Sequence, residues 1–193
     1  KLYLTHCNSH EWVPQQLPTG LHTLALSTQL SPGFLKALGQ CHHLHHLKLV
    51  DIQLDSEHLP ALGAQLGLMK NFSELTLQDI RRPIAPKQLS LCLEHLTDLE
   101  TLDLGQLTFD DHDLTLLHSG FASLTSLTSL RFDIPALHGK LRHLKLHKMT
   151  SLTDLGLRVA LKWAELSDED CYHLLKAYAY APHLTDLFKE DKE

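Results

Sequence analysis

The chain has 193 residues and a formal net charge of −6 with neutral histidines, from 17 basic and 23 acidic side chains. This acidic balance argues against a nucleic-acid or anionic-membrane surface, and no apolar run reaches the roughly 18 to 20 residues that cross a bilayer. Leucine supplies 46 residues against seven for valine and isoleucine together, an excess that indicates a helical bundle or a leucine-based repeat, because β-branched residues fill most ordinary sheets.

A leucine string of the form L-x-x-L-x-L recurs along the chain. Its six copies are Leu21-Leu24-Leu26, Leu44-Leu47-Leu49, Phe72-Leu75-Leu77, Leu99-Leu102-Leu104, Leu127-Leu130-Phe132 and Leu152-Leu155-Leu157. Their first residues lie 23 to 28 positions apart, a period typical of repeats of about 20 to 29 residues. Partial copies open the chain at Leu2 and Leu4 and close it at Leu184–Leu187. The alternation within each string predicts a short strand with one buried face.

Short amphipathic helices are predicted between these strands. Apolar residues spaced by three to four positions mark four of them: Phe34, Leu35 and Leu38; Leu59, Leu62 and Leu66; Leu89, Leu93 and Leu96; Leu114, Leu117 and Phe121. Such spacing places the apolar side chains on one helix face. Residues typical of helix starts stand before the first, second and fourth of these helices: Ser31-Pro32, Asp55-Ser56-Glu57 and Asp110-Asp111. A further start signal, Ser167-Asp168-Glu169-Asp170, opens a last helix near the end of the chain. These residue types cap free N–H groups or complement the helix dipole.

One stretch fits the repeat poorly. Leu141–Leu146 is a further leucine string, but it begins 14 residues after Leu127 and 11 residues before Leu152. That distance is too short for a separate turn of a repeat. Two interpretations remain: either 137–149 is the helix of a 25-residue repeat, which we favour, or Leu141–Leu146 is a strand and a neighbouring string is not.

These strings resemble those of leucine-rich-repeat proteins, and the 27- and 28-residue units resemble the ribonuclease-inhibitor-like class. The resemblance implies an α/β solenoid of about 6–8 repeats, with a curved parallel sheet on the concave face and helices on the convex face. It covers a single domain over 1–193, with a truncated first repeat at 1–20 and a C-terminal capping region at 159–193. Family members often carry Asn or Cys eight residues after the first leucine. Here Cys7 fits that position, but the residues elsewhere are Gln29, Ile52, Ile80, Leu107, Pro135 and Ala160. The polar ladder is therefore mostly missing, and we expect hydrophobic packing to replace it.

The resemblance implies a protein-interaction module that binds a protein partner through the concave face. Residues two, four and six positions after each first leucine should point away from the core. The best candidates among them are Tyr3, His46, Lys48, Glu74, Gln78, Asp103, Arg131, Asp133 and Arg158. The charged pairs Arg131/Asp133 and Lys48/Asp51 either contact the partner or form lateral ion pairs.

The expected partner is a protein, and no nucleic acid, membrane or small-molecule substrate is expected. The setting that the resemblance favours is a bacterial effector that acts on a host protein in the host cytosol. Alternatives are the substrate-targeting repeat domain of a larger enzyme such as a ubiquitin ligase, the sensor repeat domain of an innate-immune receptor, and a repeat that mediates self-association. Four cysteines without a CxxC pair favour reduced thiols and a cytoplasmic location.

No catalytic, cofactor-binding or metal-binding residues are predicted. Phosphate-loop, H-E-x-x-H and nucleophile-elbow motifs do not occur in the sequence. The densest run among the 16 histidines is Cys41–His46, and few of its side chains should converge, because neighbouring strand residues face opposite ways. Asp110–Asp113 is interpreted as a helix start rather than a calcium loop. Protonation of all 16 histidines would carry the formal charge from −6 to +10, so we expect partner binding to weaken in mild acid.

Overall fold

The computed structural model describes residues 1–4, 17–27, 32–51, 56–78, 80, 84–134, 142, 146, 149–159 and 167–180. Within these ranges the chain alternates between strand and helix. The strands are β1 Leu2–Leu4, β2 Thr23–Leu26, β3 His46–Val50, β4 Glu74–Gln78, β5 Thr101–Thr108, β6 Ser129–Ile134 and β7 Asp154–Val159. The helices are α1 Pro32–Leu38, α2 Leu59–Gly67, α3 Pro86–Leu93, α4 Asp111–Ser123 and α5 Asp168–Tyr180, and a 3₁₀ turn at Ser56–His58 leads into α2.

All the strands form one parallel sheet in sequence order. Each pairs with the strand before it and the strand after it, from β1 to β7. Parallel neighbours need a crossover between them, and α1 to α4 supply the crossovers from β2 to β6. This regular βα arrangement confirms the leucine-rich repeat and the solenoid-like parallel sheet predicted from the strings.

The register of the sheet places equivalent leucines side by side. In the central strands Leu47 pairs with Leu75, and Leu75 pairs with Leu102. These side chains are 0 to 1% exposed, as are the second leucines of the same strings. The pattern is interrupted between β5 and β6, where the register shifts after Leu104 and Thr108 pairs with Asp133. The buried sheet face predicted by the L-x-L alternation is confirmed.

The helices close the core from one side. All four apolar sets predicted for α1 to α4 are buried, each at 7% exposure or less. Aromatic side chains join them, and the rings of Phe121 and Phe132 lie 6.1 Å apart between α4 and β6. Leu107, at the position where the family often carries a polar residue, is also buried, and Ile80 packs partly buried against the core. At these two positions hydrophobic packing does replace the polar ladder.

Two of the predicted helix starts are confirmed by their capping bonds. At α4 the N–H of Asp113 donates to Asp110 Oδ1 (2.8 Å) and the N–H of Asp110 donates to Asp113 Oδ2 (3.1 Å), which is a capping box. At α5 the N–H of Asp170 donates to Ser167 Oγ (3.1 Å). The carboxylates at the start of α4 therefore have a structural role, as the sequence indicated.

The predicted start signal also stands before α2, which begins at Leu59 after the 3₁₀ turn. No side-chain hydrogen bond caps this helix at its N-cap residue His58. Instead, Ser56 Oγ accepts a hydrogen bond from the backbone N–H of Ala85 in the next repeat (2.8 Å). Ser31 and Asp55, the first residues of two predicted start signals, lie outside the described residues.

The structure decides part of the question raised by Leu141–Leu146. Strands β6 and β7 pair directly from Ser129–Asp154 to Ile134–Val159, so both neighbouring strings are strands. The interpretation in which one of them is not a strand is therefore wrong. Most of 137–149 lies outside the described residues, and its helix stays a prediction. The partial string at Leu184–Leu187 also lies outside them, as do the position-eight residues Cys7, Gln29, Ile52, Pro135 and Ala160.

Glycine allows the helices to pack closely. A Cβ atom on Gly63 in α2 would lie 2.6 Å from the Cα of Cys92 in α3, and one on Gly120 in α4 would lie 2.9 Å from the Cα of Ser90. The N–H of Gly120 donates to Ser90 Oγ (2.9 Å), which satisfies a buried hydroxyl between the helices. No helix in the described ranges is long and apolar enough to cross a membrane.

Replacement of Gly63 by alanine should destabilise the protein by about 1–3 kcal/mol, because the backbone of α3 must move to admit the new methyl group. This is the net cost, after the roughly 1 kcal/mol by which alanine favours a helix over glycine. The control is Gly20→Ala, since a Cβ there meets nothing within 4 Å. Urea denaturation measures both variants, and equal free energies of unfolding for Gly63→Ala and the wild type would contradict the close packing.

Two of the cysteines are buried in the core. Cys41 and Cys92 are 0% exposed, whereas Cys171 lies exposed on α5. Burial raises the pKa of Cys41, and it raises the pKa of Cys92 to about 12 against an ordinary value of 9.0. Thiolate chemistry at neutral pH is therefore suppressed at both buried residues.

Thiol labelling should separate these cysteines. In a Cys7→Ser background at pH 8, we expect Cys171 to react rapidly with Ellman's reagent, and Cys41 and Cys92 to react only after denaturation. Because the unfolded thiol ionises above about pH 9 and folded Cys92 only near pH 12, this group makes the free energy of unfolding fall as the pH rises between those values. A Cys92→Ala variant should show a shallower fall. Equal labelling rates for all three cysteines would contradict the described burial.

Candidate protein-binding surface

The outward side chains of the strands form a continuous surface, which we call the strand face. Because successive strand residues point to opposite sides, these side chains alternate with the buried leucines. The sheet register sorts them into two rows. The first row is Thr23, His46, Glu74, Thr101, Ser129 and Asp154, and the second row is Tyr3, Ala25, Lys48, Thr76, Asp103, Arg131 and Gly156. The strand face also includes Gln78, which lies two residues beyond the second row on β4 and pairs with Val50.

Contacts between neighbouring strands pair several charged and polar side chains of the strand face. Glu74 Oε2 contacts His46 Nδ1 within the first row. Asp154 Oδ2 lies 3.6 Å from Arg131 Nη2 across the two rows. These groups are partly exposed, so each contact contributes at most about 1 kcal/mol.

Asp103 is held by two donors near the centre of the face. Its Oδ2 accepts from Gln78 Nε2 on the preceding strand (2.9 Å), and its Oδ1 accepts from the backbone N–H of Gly105 (2.9 Å). The absence of a side chain at Gly105 suits this arrangement, because a Cβ there would come within 3.1 Å of Asp103 Oδ1. The carboxylate is therefore positioned by its own and the neighbouring strand.

Lys48 differs from the other charged residues of the strand face. Its side chain is exposed on β3, and within the described part of the chain no carboxylate lies within ion-pair distance of it. The described contacts do not include a Lys48/Asp51 ion pair, and Asp51, directly after β3, has a φ of 54°. On the side of Lys48 towards β1 lies Ala25, which is 4% exposed, and beyond it Tyr3, which is 60% exposed. A short side chain thus separates an exposed cation from an exposed aromatic ring.

The structure places seven of the nine predicted binding residues on the strand face with exposed or half-buried side chains: Tyr3, His46, Lys48, Glu74, Gln78, Asp103 and Arg131. The other two, Asp133 and Arg158, occupy paired positions on β6 and β7, but their side chains lie outside the described structure. The binding role of all nine stays a prediction. The sequence did not indicate that Ala25 and Gly105, at outward positions, are buried.

A group of histidines was also missed by the sequence analysis. His22 and His45 precede β2 and β3 and each follows the first leucine of a string. Their ring centres lie 5.2 Å apart, although the run at Cys41–His46 alone led us to expect little convergence. The signal that could have revealed the contact is the recurrence of histidine at one repeat position, since parallel register brings equivalent positions together.

One described cysteine lies close in sequence to several histidines. Cys41, the thiol with the most histidine neighbours in sequence, is buried, and its Sγ lies 3.8 Å from the Pro18 oxygen and 3.9 Å from the Ala37 oxygen. Among the described residues, no three His, Cys, Asp or Glu side chains are arranged to hold a metal ion. The arrangement suits contact with a surface of mixed charge.

Comparison with known proteins adds one structural likeness. No protein-family model matches the chain, and no curated protein matches it at a significant level. One solved structure that it resembles is an internalin C2 from Listeria monocytogenes str. 4b F2365, with 19% sequence identity, coverage of 86% of this chain and 79% of that chain, and a TM-score of 0.35. A TM-score this low identifies neither a shared family nor a shared function, so the repeat fold rests on the leucine strings and the parallel sheet themselves.

Proposed function

We propose that this chain is a protein-interaction module that binds a protein partner through the strand face, as the concave face of a ribonuclease-inhibitor-like solenoid. The observation that carries the proposal is the exposed position of Lys48 on β3. The ammonium group is exposed with no described carboxylate beside it, whereas His46, Asp103 and Arg131 have partners on neighbouring strands. A cation with no carboxylate beside it among the described residues is available to a carboxylate of another protein.

The neighbours of Lys48 support a protein partner. Tyr3 is exposed two strands away, and the buried Ala25 between them leaves room for a side chain of the partner. Aromatic rings are enriched where protein interfaces derive most of their binding energy. Tyr3 and Lys48 therefore form the part of the strand face from which we expect the largest share of the binding energy.

The charge pattern disfavours a nucleic acid. Carboxylates of Glu74, Asp103 and Asp154 stand among the basic side chains of the same face. They would repel a phosphate backbone, which proteins bind with grouped lysines and arginines. A protein surface that carries both signs of charge is compatible with this pattern.

The setting that we propose is a bacterial effector that acts on a host protein in the host cytosol. The substrate-targeting domain of a larger ubiquitin ligase is the second candidate. Burial of Cys41 and Cys92 makes both unsuitable for a thioester with ubiquitin. In that second setting, the catalytic part is proposed to lie outside these 193 residues.

Charge reversal tests the strand face. A variant with Lys48→Glu, Arg131→Glu and Asp133→Lys should lose at least tenfold in affinity for its partner, because like charges would then oppose each other across the interface. Affinity capture from cytosolic lysate with mass spectrometry identifies candidate partners. Titration of each purified candidate then measures the affinity of the wild type and the variant.

The matched control is Lys87→Glu, which reverses an exposed lysine on α3 and should retain the affinity. Circular dichroism establishes that both variants fold. If the strand-face variant binds the purified partner as tightly as the wild type, the partner does not use these residues. If Lys87→Glu alone weakens binding, the interface lies on the helix side.

A further inference from the structure

Four histidine rings contact one another at the start of β2 and β3. The ring centre of His22 lies 5.2 Å from that of His45 and 6.1 Å from that of His43. The ring centres of His45 and His46 are 6.1 Å apart. We call these four residues the histidine cluster. His22 and His43 are exposed and the other two are half-buried, so a ligand in solution can reach rings from two consecutive repeats.

The backbone holds His22 and His45 beside each other. The carbonyl oxygen of His22 accepts hydrogen bonds from the N–H groups of His45 (2.9 Å) and His46 (3.1 Å). The next residue, Thr23, pairs with His46 in the parallel sheet. The two Cα positions are therefore fixed by the register, and only rotation of the side chains remains free.

The separation of these two rings suits one transition-metal ion. Zinc binds histidine nitrogen at about 2.0–2.1 Å in a tetrahedral site, which places two ligand rings with their centres roughly 5 Å apart. The rings of His22 and His45 have this separation, and their planes are tilted by 51°. Zinc, nickel and copper(II) all accept imidazole as a ligand.

The other two rings have different surroundings. His46 Nδ1 is already in contact with Glu74 Oε2 on β4, so one nitrogen of that ring is engaged. His43 stacks on His22 with an angle of 18° between the planes, which is not a coordination geometry. Its side chain is exposed, and exposed side chains exchange between rotamers, so we take it as the candidate third ligand. Since no three such ligands already converge within the described ranges, the site is a pair of histidines that a third ligand completes.

We propose that His22 and His45 bind one divalent transition-metal ion of the zinc type, with His43 and water as the remaining ligands. The ion would join β2 to β3 at their exposed start. The proposal concerns residues outside both rows of the strand face, and it does not depend on the proposed protein partner. Because the folded register creates the pair, the ion should bind the folded chain better than the unfolded chain and stabilise it.

Calorimetric titration of zinc chloride into the full chain tests the site. We expect one site that is tighter than the background binding of the other histidines. His22→Ala/His45→Ala should weaken this site at least tenfold. The matched control is His95→Ala/His173→Ala, which removes two histidines from outside the cluster and should keep the tight site. Circular dichroism without zinc establishes that both double variants are folded.

Thermal unfolding supplies a second readout. Zinc should raise the Tm of the wild type and the control by similar amounts, and that of His22→Ala/His45→Ala by less. The proposal is overturned if both double variants lose the tight site, or if the wild type shows only background binding. It is also overturned if acidification leaves the affinity unchanged, because protons compete with the metal for imidazole nitrogen.

Discussion

The fold depends on the register of its parallel strands. Leu47, Leu75 and Leu102 occupy neighbouring positions, so each leucine is buried against its equivalents in the adjacent repeats. A slip of one residue would exchange the buried and outward side chains of a strand. The same register therefore determines both the core and the order of the residues on the strand face.

The helices must follow the spacing that the strands impose. Adjacent strands lie about 4.8 Å apart, whereas helix axes usually approach to only about 8–10 Å. Close packing at Gly63 and Gly120 reduces this mismatch between α2, α3 and α4. Ser90 adds a hydrogen bond at the second of these contacts. The small residues where the helices touch are therefore a consequence of the spacing that the leucine-lined sheet imposes on the repeats.

The sequence predicted the buried positions well, because burial of an apolar side chain leaves a periodic pattern within a single repeat. Features that depend on two repeats were not predicted. The hydroxyl of Ser56 bonds the N–H of Ala85 rather than capping its own helix. The contribution of His22 to the histidine cluster likewise required the alignment of two repeats in space.

The sequential strand order has a consequence for folding. Each strand pairs only with its predecessor and successor, so no two distant parts of the sequence have to meet before the sheet can grow. Folding can start at an interior repeat and extend towards both ends, one repeat at a time. Local opening can likewise proceed one repeat at a time, so different strands can exchange their backbone amide hydrogens at different rates.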